Sequence, residues 1–302
     1  MYQSTDKVAV LFLIALVAIW GGNYTWVKIA LHDIGPWTFN AVRYGGAMLL
    51  MLSVFGLKGP LSAILPVPAE RRPLAIIGFL QAGLTTAFAA LALQWIEATR
   101  VVLINYSMPI WTLPLSLLLL GERISMRASL GAALGAAGLV LLTNPFAMNW
   151  NETTLPGVLC AFVSVLSWAL GAVLYRRRKW MSGFWQQSFW QIAVTFIFMM
   201  PFALVFETGR SVVPTTSLFL VIAYNMVVPT VFGFWCWSQA LSRVSATTAS
   251  QFLLLSPVFG MVQNFFVLSE PLGTWIGAAA ACIILGAFLS LRSAPATRSA
   301  ET

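Results

Sequence analysis

The sequence predicts an all-α integral membrane protein: ten transmembrane helices forming two inverted five-helix repeats around a central cavity. Three observations predict it. The chain of 302 residues is 59% hydrophobic and only 9% charged, against about 25% charged in soluble domains, and its mean hydropathy is +0.85. Its basic residues fall almost wholly on alternate loops. It also matches itself at one constant offset, 148 residues, close to half its length.

Each membrane helix takes about 20 apolar residues, so ten spans leave no room for a large soluble domain. Apolar runs bounded by charges or by Pro and Gly clusters place them at 8–31, 38–57, 74–95, 99–120, 128–143, 155–175, 185–206, 216–241, 246–268 and 273–291. The first follows Lys7, as the apolar part of a signal peptide would. It runs on to Leu31 without a small-residue cleavage site and reads as a span. The fifth is the shortest. Its Gly131, Gly135 and Gly138, like Gly277 and Ala281 of the tenth, form small-xxx-small patterns that suit close packing within a monomer, with a dimer as the alternative.

The loops give the orientation. One side carries thirteen basic residues: Lys7, Lys58, Arg71, Arg72, Arg123, Arg127, Arg176, Arg177, Arg178, Lys179, Arg243, Arg292 and Arg298. The other carries three, Lys28, Arg100 and Arg210, and Arg43 lies inside the second span. The basic side is cytoplasmic. Both termini are then inside, as in a multi-pass protein of the bacterial inner (plasma) membrane. The net charge of +8 is a topology signal on this reading, and nucleic acid is not a partner. Cys160, Cys236 and Cys282 stand far apart in apolar stretches with no metal, redox or disulfide spacing. No metal and no cofactor is expected. The expected partners are the lipid bilayer and a small-molecule substrate.

At the 148-residue offset Trp20 meets Trp168, Trp37 meets Trp185 and Met51 meets Met199. Ala92-Leu93 meets Ala240-Leu241, Ala98-Thr99 meets Ala246-Thr247, Pro109 meets Pro257, Glu122 meets Glu270, and Gly138 meets Gly286. Lys28 falls opposite Arg176. Coincidences of Trp, Pro and Glu at one offset indicate duplication, with units at 1–148 and 149–302. Each unit holds five spans, an odd number, so the second enters the membrane from the opposite side. Inverted repeats of this kind characterise alternating-access transporters, with the substrate site between them near the midplane.

Ile19-Trp20-Gly21-Gly22-Asn23 with Lys28 after it, Pro36 followed by Arg43, Pro109 with Gly121-Glu122, and the echoes Pro257 and Glu270 together carry a family resemblance. The chain resembles the EamA-type ten-helix branch of the drug/metabolite transporter superfamily over nearly its whole length. Within that branch it looks most like the aromatic and neutral amino-acid exporters. The second half departs from the pattern: Gln191 stands where Arg43 would repeat, and Leu170-Gly171 replaces Gly22-Asn23. The resemblance implies export of small metabolites such as amino acids.

Polar groups in hydrocarbon are costly and tend to face a cavity or a partner helix. Gln81, Thr85, Phe88 and Ala92 share one face of the third span at helical spacing. Leu16, Trp20 and Asn23 line up in the first, and Ser164, Trp168, Gly171 and Tyr175 in the sixth. Asn105, Tyr106 and Ser107 lie in the fourth, Tyr224 and Asn225 in the eighth, and Gln251 in the ninth. The substrate-binding candidates are therefore Trp20, Asn23, Gln81, Thr85, Tyr106, Trp168, Tyr175, Tyr224, Asn225 and Gln251. Each has a plainer alternative, holding one helix to the next. Trp37 and Trp185, at span ends, read as interfacial belt residues. Pro109 and Pro257 occupy equivalent places and are candidate gate hinges. Arg43 could hold a substrate carboxylate. It stands about five residues into its span, which favours a structural role, snorkelling or binding helix-end carbonyls. Glu122 and Glu270 sit at helix junctions and read as caps on the following helix.

None of the nine acidic residues falls mid-span, and the one histidine, His32, is in a loop. Proton-coupled carriers place such groups in the membrane, so facilitated export is expected. Phosphate-bearing substrates would need several cationic groups, and one intramembrane arginine argues against them. An aromatic-cation or multidrug exporter is the alternative within the superfamily. A channel or an intramembrane enzyme is the alternative from another class, and the latter lacks a Ser/His or paired-Asp constellation. No enzymatic activity is expected.

Overall fold

The structure, a computed structural model, describes residues 7–56, 60–121, 126–143, 154–241, 253, 255–271 and 274–291, and all regular structure among them is helical. The first half supplies α1 (Lys7–Ala30), α2 (Pro36–Gly56), α3 (Pro68–Trp95), α4 (Ala98–Leu120) and α5 (Met126–Thr143). The second supplies α6 (Thr154–Arg176), α7 (Phe184–Phe206), α8 in three consecutive pieces (Thr216–Asn225, Met226–Phe232, Gly233–Leu241), α9 (Ser256–Leu268) and α10 (Thr274–Leu291). α1, α3, α4, α6, α7 and most of α8 are long and apolar enough to cross a membrane, and α9 with parts of α5 and α10 are shorter apolar helices. A helix satisfies all its backbone polar groups internally, which hydrocarbon demands. Leu11, Ile14, Leu118, Leu204 and Phe266 stand exposed on the outside of the bundle, where lipid is the fitting solvent.

Local chemistry sets the helix ends. Pro36 opens α2 and Pro68 opens α3, positions where a missing N–H costs nothing. The third helix thus begins six residues before the apolar run at 74. Its first turn stays helical because Glu70 is buried, accepting the Met181 and Ser182 amides at 2.6 and 3.0 Å. Thr215 caps α8, its hydroxyl oxygen accepting the Leu218 N–H at 3.1 Å. α4 and α9 both end in a left-handed residue, Gly121 (φ 66°) and Ser269 (φ 54°), which stand 148 residues apart.

The packing repeats at the same offset. α1 lies against α9 and α8, while α6, its counterpart, lies against α4 and α3; α2 packs on α7, and α5 on α10. The α5–α10 contact is backbone to backbone. A Cβ added to Gly286 would stand 2.4 Å from the Gly131 carbonyl oxygen and 2.6 Å from the Gly135 nitrogen, and one on Gly138 2.8 Å from the Ala279 oxygen. These three glycines of α5 are therefore used within the chain, whereas Gly277 has nothing within 4 Å of its Cβ position. The largest buried cluster joins α1, α3, α4, α6 and α9 through small side chains such as Ala92, Ala98, Val101, Ala161 and Val165. Small cores bring helix backbones close, and close backbones let short polar side chains bridge them.

Candidate functional site

Two helices depart from regular geometry at equivalent places. α3 carries a π-helical turn at Phe79–Leu84 and α8 one at Met226–Phe232; wide turns of this kind are frequent at functional sites. In α8 the cause is Pro229, which has no N–H for the carbonyl four residues back. That carbonyl, of Asn225, accepts the Thr230 hydroxyl instead, at 2.7 Å. The Pro229 carbonyl accepts the Trp20 indole N–H of α1 at 3.1 Å. Trp20 also meets Phe234 and Trp237, with ring centroids 6.1 and 6.2 Å away. Gly233 makes the room: a Cβ there would stand 2.6 Å from Trp20 Nε1.

In α3 the Thr85 hydroxyl closes the wide turn, donating to the Leu80 carbonyl at 3.0 Å with the Ser164 carbonyl also in reach at 3.2 Å. The Ser164 hydroxyl lies 2.8 Å from the Thr85 carbonyl and 2.7 Å from Asn105 Oδ1. Thr85 is thereby fixed in a knot that joins α3, α6 and α4. Gln81 packs against α6, where a Cβ on Gly171 would meet its Cγ at 2.4 Å. Phe88 instead joins Trp37, Phe198 and the buried Met199. Gln81 and Thr85 thus share a face toward α6, and Phe88, three residues on in the regular helix, turns toward α2 and α7.

Between the two knots, polar groups from five helices converge. Arg43 of α2 is 7% exposed. Its Nε donates to Thr230 Oγ1 at 3.0 Å, and its guanidinium carbon stands 5.1 Å from the centre of the Tyr44 ring. The Tyr24 and Tyr224 hydroxyls lie within electrostatic reach of the Arg43 charge, and the Tyr224 ring meets Trp26 at 6.2 Å. Ser256 of α9 comes against Gly21 of α1, where a Cβ would stand 2.4 Å from the Ser256 carbonyl oxygen. The Tyr106 hydroxyl of α4 is beside Ser256. Two buried amide oxygens have no hydrogen-bond partner among the described residues, Asn23 Oδ1 and Asn225 Oδ1, and Ser256 Oγ has only the Tyr106 hydroxyl beside it. Asn225 Nδ2 is engaged by the Val221 carbonyl at 3.1 Å, so its oxygen is the free end.

Of the candidates read from sequence, Tyr106, Tyr224 and Asn225 belong to this convergence, Trp20 borders it, and Asn23 follows on the same helix with its buried Oδ1 unpartnered. Trp168 is half-buried and makes no ring pair or side-chain hydrogen bond among the described residues. Tyr175 lies at the α6–α7 connection, its hydroxyl donating to Gln187 Oε1 at 2.6 Å and its ring stacked on Trp180. Trp37, read as a belt residue, stacks on Phe202 at 4.6 Å. Gln251 and Glu122 lie outside the described residues. Pro109 and Pro257 each stand at the start of a helical piece, Met108–Leu120 and Ser256–Leu268, so both mark breaks rather than kinks. Glu270 caps a helix, but not the one that follows it. Its carboxylate accepts the Ala98 and Thr99 amides at 2.7 and 2.9 Å, at the start of α4, and pairs with Lys28 at 3.3 Å. Tyr24, Tyr44, Thr230 and Ser256 were not singled out from sequence. Thr230 follows Pro229 and Ser256 precedes Pro257, so a hydroxyl next to an in-span proline was the available signal.

Comparison with known proteins adds the family. The pattern of the EamA-like transporter family matches the chain twice, over residues 7–144 and 155–292. The chain is 27% identical over 282 residues to the uncharacterized transporter YoaV of Bacillus subtilis, covering 92% of this chain and 94% of that one. It is 24% identical over 298 residues to a probable amino-acid metabolite efflux pump of Escherichia coli, covering 91% and 92%. A solved crystal structure shares the fold at a TM-score of 0.66 and 20% identity, covering 94% of this chain and 96% of that one.

Proposed function

The chain belongs to the EamA-like transporter family, and on that premise we propose that it exports small amphiphilic metabolites, amino acids including aromatic ones, by alternating access. The observation that carries this reading is the pair of π-helical turns at equivalent places in α3 and α8. Irregular backbone at membrane depth is tolerated where it lines a cavity, and broken helices hold the substrate in transporters built from inverted repeats. The similarity to a probable amino-acid metabolite efflux pump favours the same substrate class.

The reading includes ten spans in two inverted halves, 1–148 and 149–302, in the bacterial inner membrane with both termini cytoplasmic. The exchange of packing partners between α1 and α6, and the matched left-handed ends of α4 and α9, support the repeat. The thirteen-to-three basic asymmetry supports the orientation. Trp20, Trp168 and Gln81 form cavity walls on this reading, and Pro109 and Pro257 form hinges. The Asp33, Glu70, Glu97, Glu207 and Glu270 carboxylates all stand at helix ends, which disfavours a binder of organic cations.

Purified protein in liposomes preloaded with unlabelled phenylalanine or leucine tests the reading by counterflow of the labelled amino acid. Saturable accumulation is expected for at least one neutral amino acid. Non-saturable leakage would indicate a channel, and no accumulation of any neutral amino acid would overturn the substrate class.

A further inference from the structure

A buried guanidinium with no countercharge is expensive unless something anionic completes it. Arg43 is in that condition. No carboxylate pairs with it among the described residues, where the salt bridges are Lys28 with Glu270 and Arg100 with Glu97. Its one hydrogen bond there runs from Nε to Thr230, which leaves both terminal nitrogens for another acceptor. Snorkelling does not account for it. Arg43 stands about 10 Å along α2 from Pro36 at the helical rise, and it turns inward to the π turn of α8 rather than outward to the interface.

The unpartnered buried oxygens have the opposite need. Asn23 Oδ1 and Asn225 Oδ1 are buried without a hydrogen-bond partner, and an orphaned buried acceptor carries its full desolvation penalty; Ser256 Oγ has the Tyr106 hydroxyl beside it and keeps acceptor capacity. Thr230 ties the two needs together: its hydroxyl oxygen accepts from Arg43 and its proton goes to the Asn225 carbonyl. The donor fork and the Asn225 turn are therefore joined through Thr230, with the Tyr44 ring 5.1 Å from the guanidinium carbon and Tyr24 and Tyr224 within reach of its charge.

We propose that Arg43 binds the carboxylate of a zwitterionic α-amino acid while Asn23, Asn225 and Ser256 accept its ammonium. This rests on the export reading and specifies it: the site recognises the backbone of an amino acid, and the tyrosine and tryptophan rings take its side chain. A guanidinium can engage a carboxylate through two parallel N–H bonds. The ammonium meets neutral oxygens, so the site binds a dipolar molecule with no net charge and rejects an amine that lacks the carboxylate. Residue 191 at the equivalent place in the second half is glutamine, so the two halves supply one such anchor and not two.

The experiment compares phenylalanine, phenethylamine and N-acetylphenylalanine as inhibitors of labelled phenylalanine counterflow in liposomes, for the full-length wild type and for Arg43→Gln and Arg43→Lys. In the wild type, phenethylamine is expected to inhibit at least about thirty-fold more weakly than phenylalanine, the size of effect that loss of one partner in a buried charge pair brings, and N-acetylphenylalanine, which lacks the ammonium, at least about tenfold more weakly. Arg43→Gln is expected to lose that preference, transporting labelled phenethylamine at least as well as phenylalanine. Arg43→Lys, which keeps the charge but loses the fork, is expected to fall between. Equal inhibition by phenylalanine and phenethylamine in the wild type would overturn the proposal even if Arg43→Gln failed to fold. An unchanged preference in a folded Arg43→Gln would overturn it and leave the export reading standing. A wild type that accumulates no amino acid would overturn the export reading, and this proposal with it.

Discussion

Trp20 shows how one residue serves two needs. Its ring area packs on α8, and its indole N–H satisfies the carbonyl of Pro229. A Trp20→Phe variant keeps the wall and loses the bond, so it is expected to lose about 1 kcal/mol of stability while transport affinity stays within about threefold. Trp20→Ala removes the wall and is expected to weaken substrate affinity by tenfold or more. A thermal melt in detergent and a counterflow titration separate the two effects. An affinity loss in Trp20→Phe as large as in Trp20→Ala would mean that the N–H, not the ring, meets the substrate. Trp20, Asn23, Tyr106, Tyr224 and Asn225 were candidates in the sequence because groups with a polar atom are costly in an apolar run. Tyr175 stands at the α6–α7 connection, bonded to Gln187 and stacked on Trp180. For Arg43, distance from the span start suggested an interfacial charge, and only the partner helix reveals that it points inward.

At the scale of the element, irregularities rather than regular helix carry the information. The apolar runs give the helices and most of their ends within a few residues. They do not give the π turns, because hydrophobic periodicity is too coarse to register one extra residue per turn. Nor do they give the target of Glu270, whose partners Ala98 and Thr99 belong to the other half of the chain. The junction between α9 and α10 explains why the reach is possible. Ser269 adopts φ 54°, which reverses the chain sharply enough to bring the next carboxylate back over the start of α4. Serine is strained there, whereas glycine holds the matching place at position 121. Ser269→Gly is therefore expected to raise stability by about 0.5–1 kcal/mol, and Gly121→Ala to lower it by about 1 kcal/mol. Melting temperatures of the two variants against wild type check both signs. A lower midpoint for Ser269→Gly would mean that the serine hydroxyl is needed at that junction.

At the scale of the whole molecule, the placement of the acidic residues bears on how the proposed export would be driven. Those that the structure describes are engaged at helix ends. Glu207 receives the Trp37 and Thr38 amides at 3.2 and 2.8 Å, and Asp33 receives the Thr215 hydroxyl at 2.5 Å. Glu70 and Glu270 hold amides of α7's approach and of α4, and Glu97 pairs with Arg100 three residues on. These bonds tie each carboxylate to a helix end. A carboxylate used as a cap fixes structure, whereas one used as a proton carrier must be free to titrate within the membrane. The sequence shows no mid-span acid, and the five carboxylates among the described residues are bonded at helix ends. Downhill amino-acid flux from liposomes is accordingly expected to persist, within about twofold, when a protonophore collapses the pH gradient. An imposed pH gradient without an amino-acid gradient is expected to drive no net movement. Flux that stops with the protonophore, or uphill movement driven by protons alone, would require a titrating group that this arrangement of carboxylates does not provide.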